Sequence, residues 1–247
     1  MPVQETVILL DIEGTITSIS FVKDTLFPYV TNNLVNYINK LWGKEKLEID
    51  LELLREQAAI DSNSELEGFV PIVSGDNAKQ SIIDNIRWQM SIDRKTTALK
   101  QLQGHIWKEG YENGVLKGHL YEDVLPVLNK LIKLGKRIYT YSSGSTNAQE
   151  YLFQYSMYGD VSNVFIKYFD TKMGPKNSVT SYTNIANDIG VNCGDILFLT
   201  DILTEAEAAI KAGCNSALLE RPGNAPLDPE KSSTFKIMKT LNELLEN

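Results

Sequence analysis

Two cysteines and two histidines are all that this 247-residue chain offers of the residues most used for soft-metal binding and imidazole chemistry. Cys193 and Cys214 show no CxxC or other zinc spacing, so the expected state is two buried, reduced thiols in a cytosolic protein. His105 and His119 fall in one helix-rich stretch, poor material for a Ser-His-Asp triad or a histidine-ligated metal. Long apolar runs are missing as well, and no stretch approaches the length needed to span a bilayer. The start, Met1 to Thr6, is polar, and the apolar run after it is cut short at Asp11, so no export signal is expected. Positive charge is scarce: 24 Lys and Arg against 32 Asp and Glu give a net charge of −8. That balance argues against binding a nucleic-acid backbone. It leaves a small anionic substrate open, because a few focused cations or a metal can override an acidic surface. The expected setting is the cytoplasm, with the nucleus as a further compartment, no membrane or nucleic-acid partner, and a monomeric chain.

What the chain does have is enough apolar material for a core, 43% of its residues. Four short apolar runs read as buried parallel strands: residues 6–10, 137–141, 196–200 and 216–219. Helical spacing of apolar residues over 147–155, 178–189 and 204–212 separates the later ones, with Gly190 and Gly213 placed as C-terminal stops. Strands alternating with helices predict an α/β fold, an open parallel (Rossmann-like) sheet covered by helices on both faces. Residues 25–42, 47–61, 78–92 and 95–107 are helical in pattern, with a polar loop over 62–77. This predicts a core domain of residues 1–18 and 120–247, and a helical cap domain of residues 19–119 inserted after the first strand.

Three strand candidates end in a polar residue: Asp11, Ser142 and Asp201. Ligands of open parallel sheets bind outside the carboxyl ends of the strands, so the fold itself can gather these residues, with Lys176 arriving from a loop. Two carboxylates, a hydroxyl and an ammonium suit phosphoryl transfer, which depends on positioning and charge neutralisation. Asp11 can attack phosphorus and split the reaction through an acyl phosphate. Attack by one anion on another needs a hard cation between them, and magnesium suits oxygen ligands while keeping several waters.

Asp11-Ile12-Glu13-Gly14-Thr15 resembles the DxDxT signature of the haloacid dehalogenase superfamily, with glutamate in place of the second aspartate. Ser142, Lys176 and Thr200-Asp201 fall where that superfamily has its other motifs. LLDIEGT, FVKDTLFPY, DRKTTALKQLQGH, YSSGS, FDTK and ILFLTD together resemble the enolase-phosphatase family of methionine salvage. That resemblance implies conversion of 2,3-diketo-5-methylthiopentyl-1-phosphate to an acireductone and phosphate. It implies Mg2+ held by Asp11, the backbone carbonyl of Glu13 and Asp201, and substrate phosphate held by Ser142, Ser143 and Lys176. It also implies that the residue-13 side chain protonates the leaving group and activates water. A diketone chelates metal, so the same ion can stabilise an enolate. Glu13 is the nearest candidate for the enolising base.

Several residues carry a second reading. Ser142 and Ser143 can form a turn with Gly144 or cap the next helix. Lys172 competes with Lys176 for the cationic role. Glu205 can orient the metal's waters or simply favour a helix N-terminus, and Thr15 stands beside the same site. Arg94, Lys95 and Lys100 can reach substrate or cover a solvated helix face, and Arg221 to Asn224 reads as a turn after a strand. Among rival functions, a serine hydrolase lacks a GxSxG elbow, a haloacid dehalogenase would not need Asp201, and a binding module would have lost catalytic side chains.

Overall fold

The computed structural model describes residues 3–246. Strand β1 (Val7–Leu10) opens the chain, with all four residues buried. A short turn of helix, α1 (Ile19–Phe21), capped by the Ser18 hydroxyl accepting from Phe21 N, runs into a π-helical stretch, Val22–Leu26. Helices α2 (Phe27–Leu41), α3 (Glu45–Asp61), α4 (Ala78–Ser91) and α5 (Thr97–Glu112) follow. The remainder alternates: α6 (Val124–Lys133), β2 (Arg137–Tyr141), α7 (Thr146–Gln154), β3 (Lys167–Phe169), α8 (Val179–Ile189), β4 (Ile196–Thr200), α9 (Leu203–Lys211), β5 (Asn215–Leu219), α10 (Pro229–Ser232) and β6 (Lys236–Met238). Two compact units result, one of Met1–Asp24 with Leu116–Asn247 and one of Thr25–Val115.

The first unit is built on a six-stranded sheet in the order β3-β2-β1-β4-β5-β6, every pairing parallel. β1 is central, with Leu10 opposite Thr140 of β2 and Leu199 of β4, so the three strands end side by side. Alternate residues point to opposite faces of a strand. Val7 and Leu9 join Tyr182, Ile185, Ala208 and Ala209 of α8 and α9 in one buried cluster, while Ile8 and Leu10 are equally buried on the other face. α6 buries Val124, Val127, Leu128 and Leu131, the i, i+3, i+4, i+7 stripe of an amphipathic helix. Gly190 ends α8 in the left-handed conformation, φ 77°, that a residue with a side chain rarely adopts. The sheet is wider than the four expected strands: β3 and β6 have three residues each and bury one of them.

The second unit is helical and has its own core, centred on Leu34, Ile38, Leu51, Leu54, Ile86 and Leu102. Each such aliphatic side chain contributes about 1.5–3 kcal/mol on burial, which favours an independent cluster of this size. Its two buried carboxylates are matched locally. Asp61 accepts from both Arg94 guanidinium nitrogens at 2.7 and 2.8 Å, and Asp50 accepts from Gln101 at 2.8 Å and faces His105 Nδ1 at 2.7 Å. No helix among the described residues is long and apolar enough to cross a membrane. Cys193 is half-buried rather than buried, and Cys214 is buried.

Candidate active site

The carboxyl ends of β1, β2 and β4 carry the polar residues singled out above. Asp11 continues β1, its N–H donating to the Leu199 carbonyl at 2.8 Å, and the residue is 5% exposed. Oδ1 accepts from Ile12 N at 2.7 Å and meets Lys176 Nζ at 2.6 Å. Lys176 is itself buried and reaches Glu205 Oε2 at 2.7 Å with the same ammonium. Thr200 at the end of β4 places its hydroxyl 2.8 Å from Glu205 Oε2 and 3.3 Å from Asp11 Oδ2. One proton cannot serve both at once, and the shorter contact favours Glu205. Between Lys176 and Lys172, the geometry separates the candidates: Lys172 is exposed, whereas Lys176 lies against Asp11.

The electrostatics follow from burial. Desolvation alone would lower the Lys176 pKa, but the carboxylates of Asp11 and Glu205 outweigh it and hold the ammonium above its ordinary value. Glu205 is raised by burial and by the charge of Asp11. Asp201 is pushed up to about 7, first by burial and then by the negative charge of Asp11. Two carboxylates that repel one another in this way form a place where a cation is stabilising.

The loop after Asp11 is tightly determined. The Ile12 carbonyl accepts from the amides of Thr15, Ile16 and Thr17 at 3.3, 2.9 and 2.9 Å. Gly14 has φ 76°, and a Cβ built there would lie 2.3 Å from Asp201 Oδ2. Only glycine therefore lets the Asp201 carboxylate press against the backbone beside residue 13. Glu13 is exposed, and Thr15 is buried with its hydroxyl oxygen lacking a hydrogen-bond partner. Among the described residues no three His, Cys, Asp or Glu side chains converge as a metal site. A metal held here would draw on two carboxylates, a backbone carbonyl and water, a donor set that suits a hard cation.

Ser142 ends β2, buried, with its N–H donating to the Phe169 carbonyl at 3.1 Å and its hydroxyl oxygen accepting from Gly144 N at 3.1 Å. The turn reading therefore holds for Ser142 without using up its proton. Ser143 is exposed, and the cap of α7 is Ser145, not Ser143. Buried Gln149 braces this loop, donating to the carbonyls of Gly144 at 2.9 Å and Phe169 at 2.8 Å while accepting from Thr140 at 2.6 Å. The Lys176 loop is fixed in turn by Tyr182, whose hydroxyl lies 2.6 Å from the Lys176 carbonyl. Arg221 and Asn224, read as a turn, do form one, with Asn224 N donating to the Arg221 carbonyl at 3.1 Å. Their side chains, however, reach back to the Gly14–Thr15 backbone. No sequence signal foretells that contact across more than 200 residues.

A family model described as haloacid dehalogenase-like hydrolase matches residues 6–213. A protein of Acyrthosiphon pisum named enolase-phosphatase E1 is 76% identical over 246 residues, covering 100% of this chain and 99% of its own length. One of the same name from Xenopus tropicalis is 51% identical, covering 99% and 96%. Among solved structures, the UTR4 protein of Saccharomyces cerevisiae superimposes with a TM-score of 0.75 at 33% identity over 96% of this chain and 98% of its own.

Proposed function

The chain belongs to the haloacid dehalogenase-like hydrolase family, and from that premise we infer that it is a magnesium-dependent enolase-phosphatase of methionine salvage. It converts 2,3-diketo-5-methylthiopentyl-1-phosphate to an acireductone and phosphate. The observation that carries this reading is the buried Asp11 carboxylate at the end of the central strand, 2.6 Å from Lys176 and beside Asp201.

In this reading Asp11, Asp201 and the Glu13 carbonyl would hold Mg2+. The burial and the repulsion from Asp11 that raise Asp201, and the glycine at 14 that admits its carboxylate, support the assignment. A magnesium ion held there would supply positive charge against Asp11 and the phosphate and Lewis acidity toward a diketone carbonyl. Asp11 attacks phosphorus, and the P–O bond to the substrate carbon skeleton breaks as the Asp11 acyl phosphate forms. Glu13, exposed at the loop, gives its proton to the departing oxygen and then takes one from the water that hydrolyses the acyl phosphate, returning Asp11 and releasing phosphate. Lys176 neutralises a phosphate oxygen, and Ser142 and Ser143 donate hydroxyl protons to others. Glu205 keeps Lys176 charged and in place, since it lies 2.7 Å from the same ammonium. Enolisation needs removal of a carbon-bound proton, and Glu13 is the group we assign to it. The protein works on a small phosphorylated substrate as a cytoplasmic and nuclear monomer.

The test is phosphate release from the diketone phosphate with and without magnesium, recorded together with enol absorbance. Magnesium-dependent release with enol formation is the expected result. Release from simple phosphate esters with no activity on the diketone would keep the hydrolase and overturn the substrate. In Glu13→Gln, enol formation that persists after phosphate release is lost would assign the enolising proton to another group.

A further inference from the structure

We propose that Arg221 and Asn224, in the turn after β5, are positioning residues that hold the metal-binding loop in shape from behind. This rests on the reading of Asp11, the Glu13 carbonyl and Asp201 as the magnesium site. Three successive carbonyls of the loop are taken by groups outside it. Gly14 O accepts from Asn224 Nδ2 at 2.9 Å, Thr15 O from Arg221 Nε at 3.0 Å, and Ile16 O from Tyr121 N at 3.1 Å. The carbonyl assigned to the metal lies one peptide plane before these three; its own plane is tied into the loop by Gly14 N donating to the Thr17 carbonyl at 2.8 Å, so the anchored planes fix the frame from which it projects.

Arg221 is suited to such a task because nothing in its surroundings is loose. It is 5% exposed. Its two terminal nitrogens form a paired fork with the Asp123 carboxylate at 3.0 and 2.8 Å, and one of them also donates to the Lys239 carbonyl at 3.1 Å. The guanidinium lies 4.4 Å from the centre of the Tyr121 ring. Asp123 is fixed in turn by Leu241 N at 2.6 Å. A planar fork of this kind cannot be replaced by a lysine, which lacks both the second donor plane and the Nε–H. Asn224 Nδ2 also reaches the Leu219 carbonyl at 3.2 Å, which ties the turn to the end of β5. The chain thus links the loop after Asp11 to residues more than 200 positions later, through side chains that reach its backbone. Partners that orient groups around a metal are worth about 10–100-fold in affinity or activity when lost.

The experiment measures magnesium binding by calorimetry without substrate, and hydrogen exchange of the Gly14–Thr17 amides, in wild-type, Arg221→Lys and Asn224→Ala proteins. Steady-state kinetics against magnesium and against substrate accompany it. We expect magnesium affinity to fall about 10–100-fold in Arg221→Lys, with faster exchange in the loop, a higher magnesium requirement and an unchanged KM for the phosphorylated substrate. If Arg221→Lys does not fold, Asn224→Ala carries the same readouts with a smaller expected loss. Wild-type magnesium affinity and loop exchange in a folded variant would overturn the brace and leave the metal site standing. A wild-type protein that takes up no magnesium would overturn the site, and the brace with it.

Discussion

The helical unit and the candidate site of the sheet unit treat buried carboxylates in opposite ways. In the helical unit each has its own close partners: Asp61 is gripped by Arg94, with Gln57 donating at 2.8 Å, and Asp50 sits between His105 and Gln101. In the sheet unit Lys176 is shared between Asp11 and Glu205, and Asp201 adds a further negative group whose proton is held up to about 7. A fully paired buried charge serves the fold, because removing one partner leaves the other stranded. A cluster with surplus negative charge is costly to the fold and is kept where chemistry needs it. The contrast sets the candidate site's carboxylates apart from those that serve the fold.

The sharpest way to break the comparison is to neutralise one residue of each kind. Asp11→Asn should abolish phosphate release, by roughly 10⁴-fold or more as with other lost nucleophiles. The folded state should survive, since one of several mutually repelling charges has gone. Wild-type turnover in that folded variant would remove the nucleophile. Arg94→Met should do the reverse. It strands Asp61, whose side chain is 2% exposed, and should cost about 3–5 kcal/mol in denaturant unfolding. The folded protein should keep its kcat; a large kcat loss with little change in stability would place Arg94 in the reaction.

A smaller effect concerns His119. Its Nδ1 accepts from Ser18 N at 3.2 Å, so the neutral ring is the one that fits, and burial holds its pKa below the ordinary 6.5. The neutral form is favoured in the folded state, so this contribution to stability is complete above 6.5 and lost as pH falls from there through the folded-state pKa. Thermal melts across mildly acid pH should decline less steeply in His119→Asn than in wild type. An equal decline would show that His119 does not titrate in that window. The smallest effect is expected of Lys172→Ala: within about 0.5 kcal/mol in stability, and no change in KM. A raised KM would return Lys172 to the phosphate site.

How much of this was legible in the sequence depends on how local the signal is. The central strands announce themselves as apolar runs because both faces are covered, as with Val7–Leu10 and Ile196–Thr200. β3 and β6 do not, because a three-residue edge strand with one buried side chain has no readable period. Asp11, Ser142 and Asp201 were legible as strand-end residues, since the parallel order of β2, β1 and β4 brings those ends together. Lys176 and Lys172 were not separable by residue type, because what distinguishes them is the 2.6 Å approach to Asp11. The Arg221 and Asn224 contacts were invisible for the same reason. A turn residue carries no local mark of the carbonyl it will reach across the fold.

Trapping the covalent step tests Asp11 as nucleophile without an intermediary. Protein turning over the diketone phosphate with magnesium would be quenched with borohydride, which reduces an aspartyl phosphate to homoserine, and the peptides analysed by mass spectrometry. Homoserine is expected at position 11, dependent on both substrate and magnesium. Reduction at Asp201 or Glu13 instead, or none anywhere during demonstrated turnover, would contradict that role.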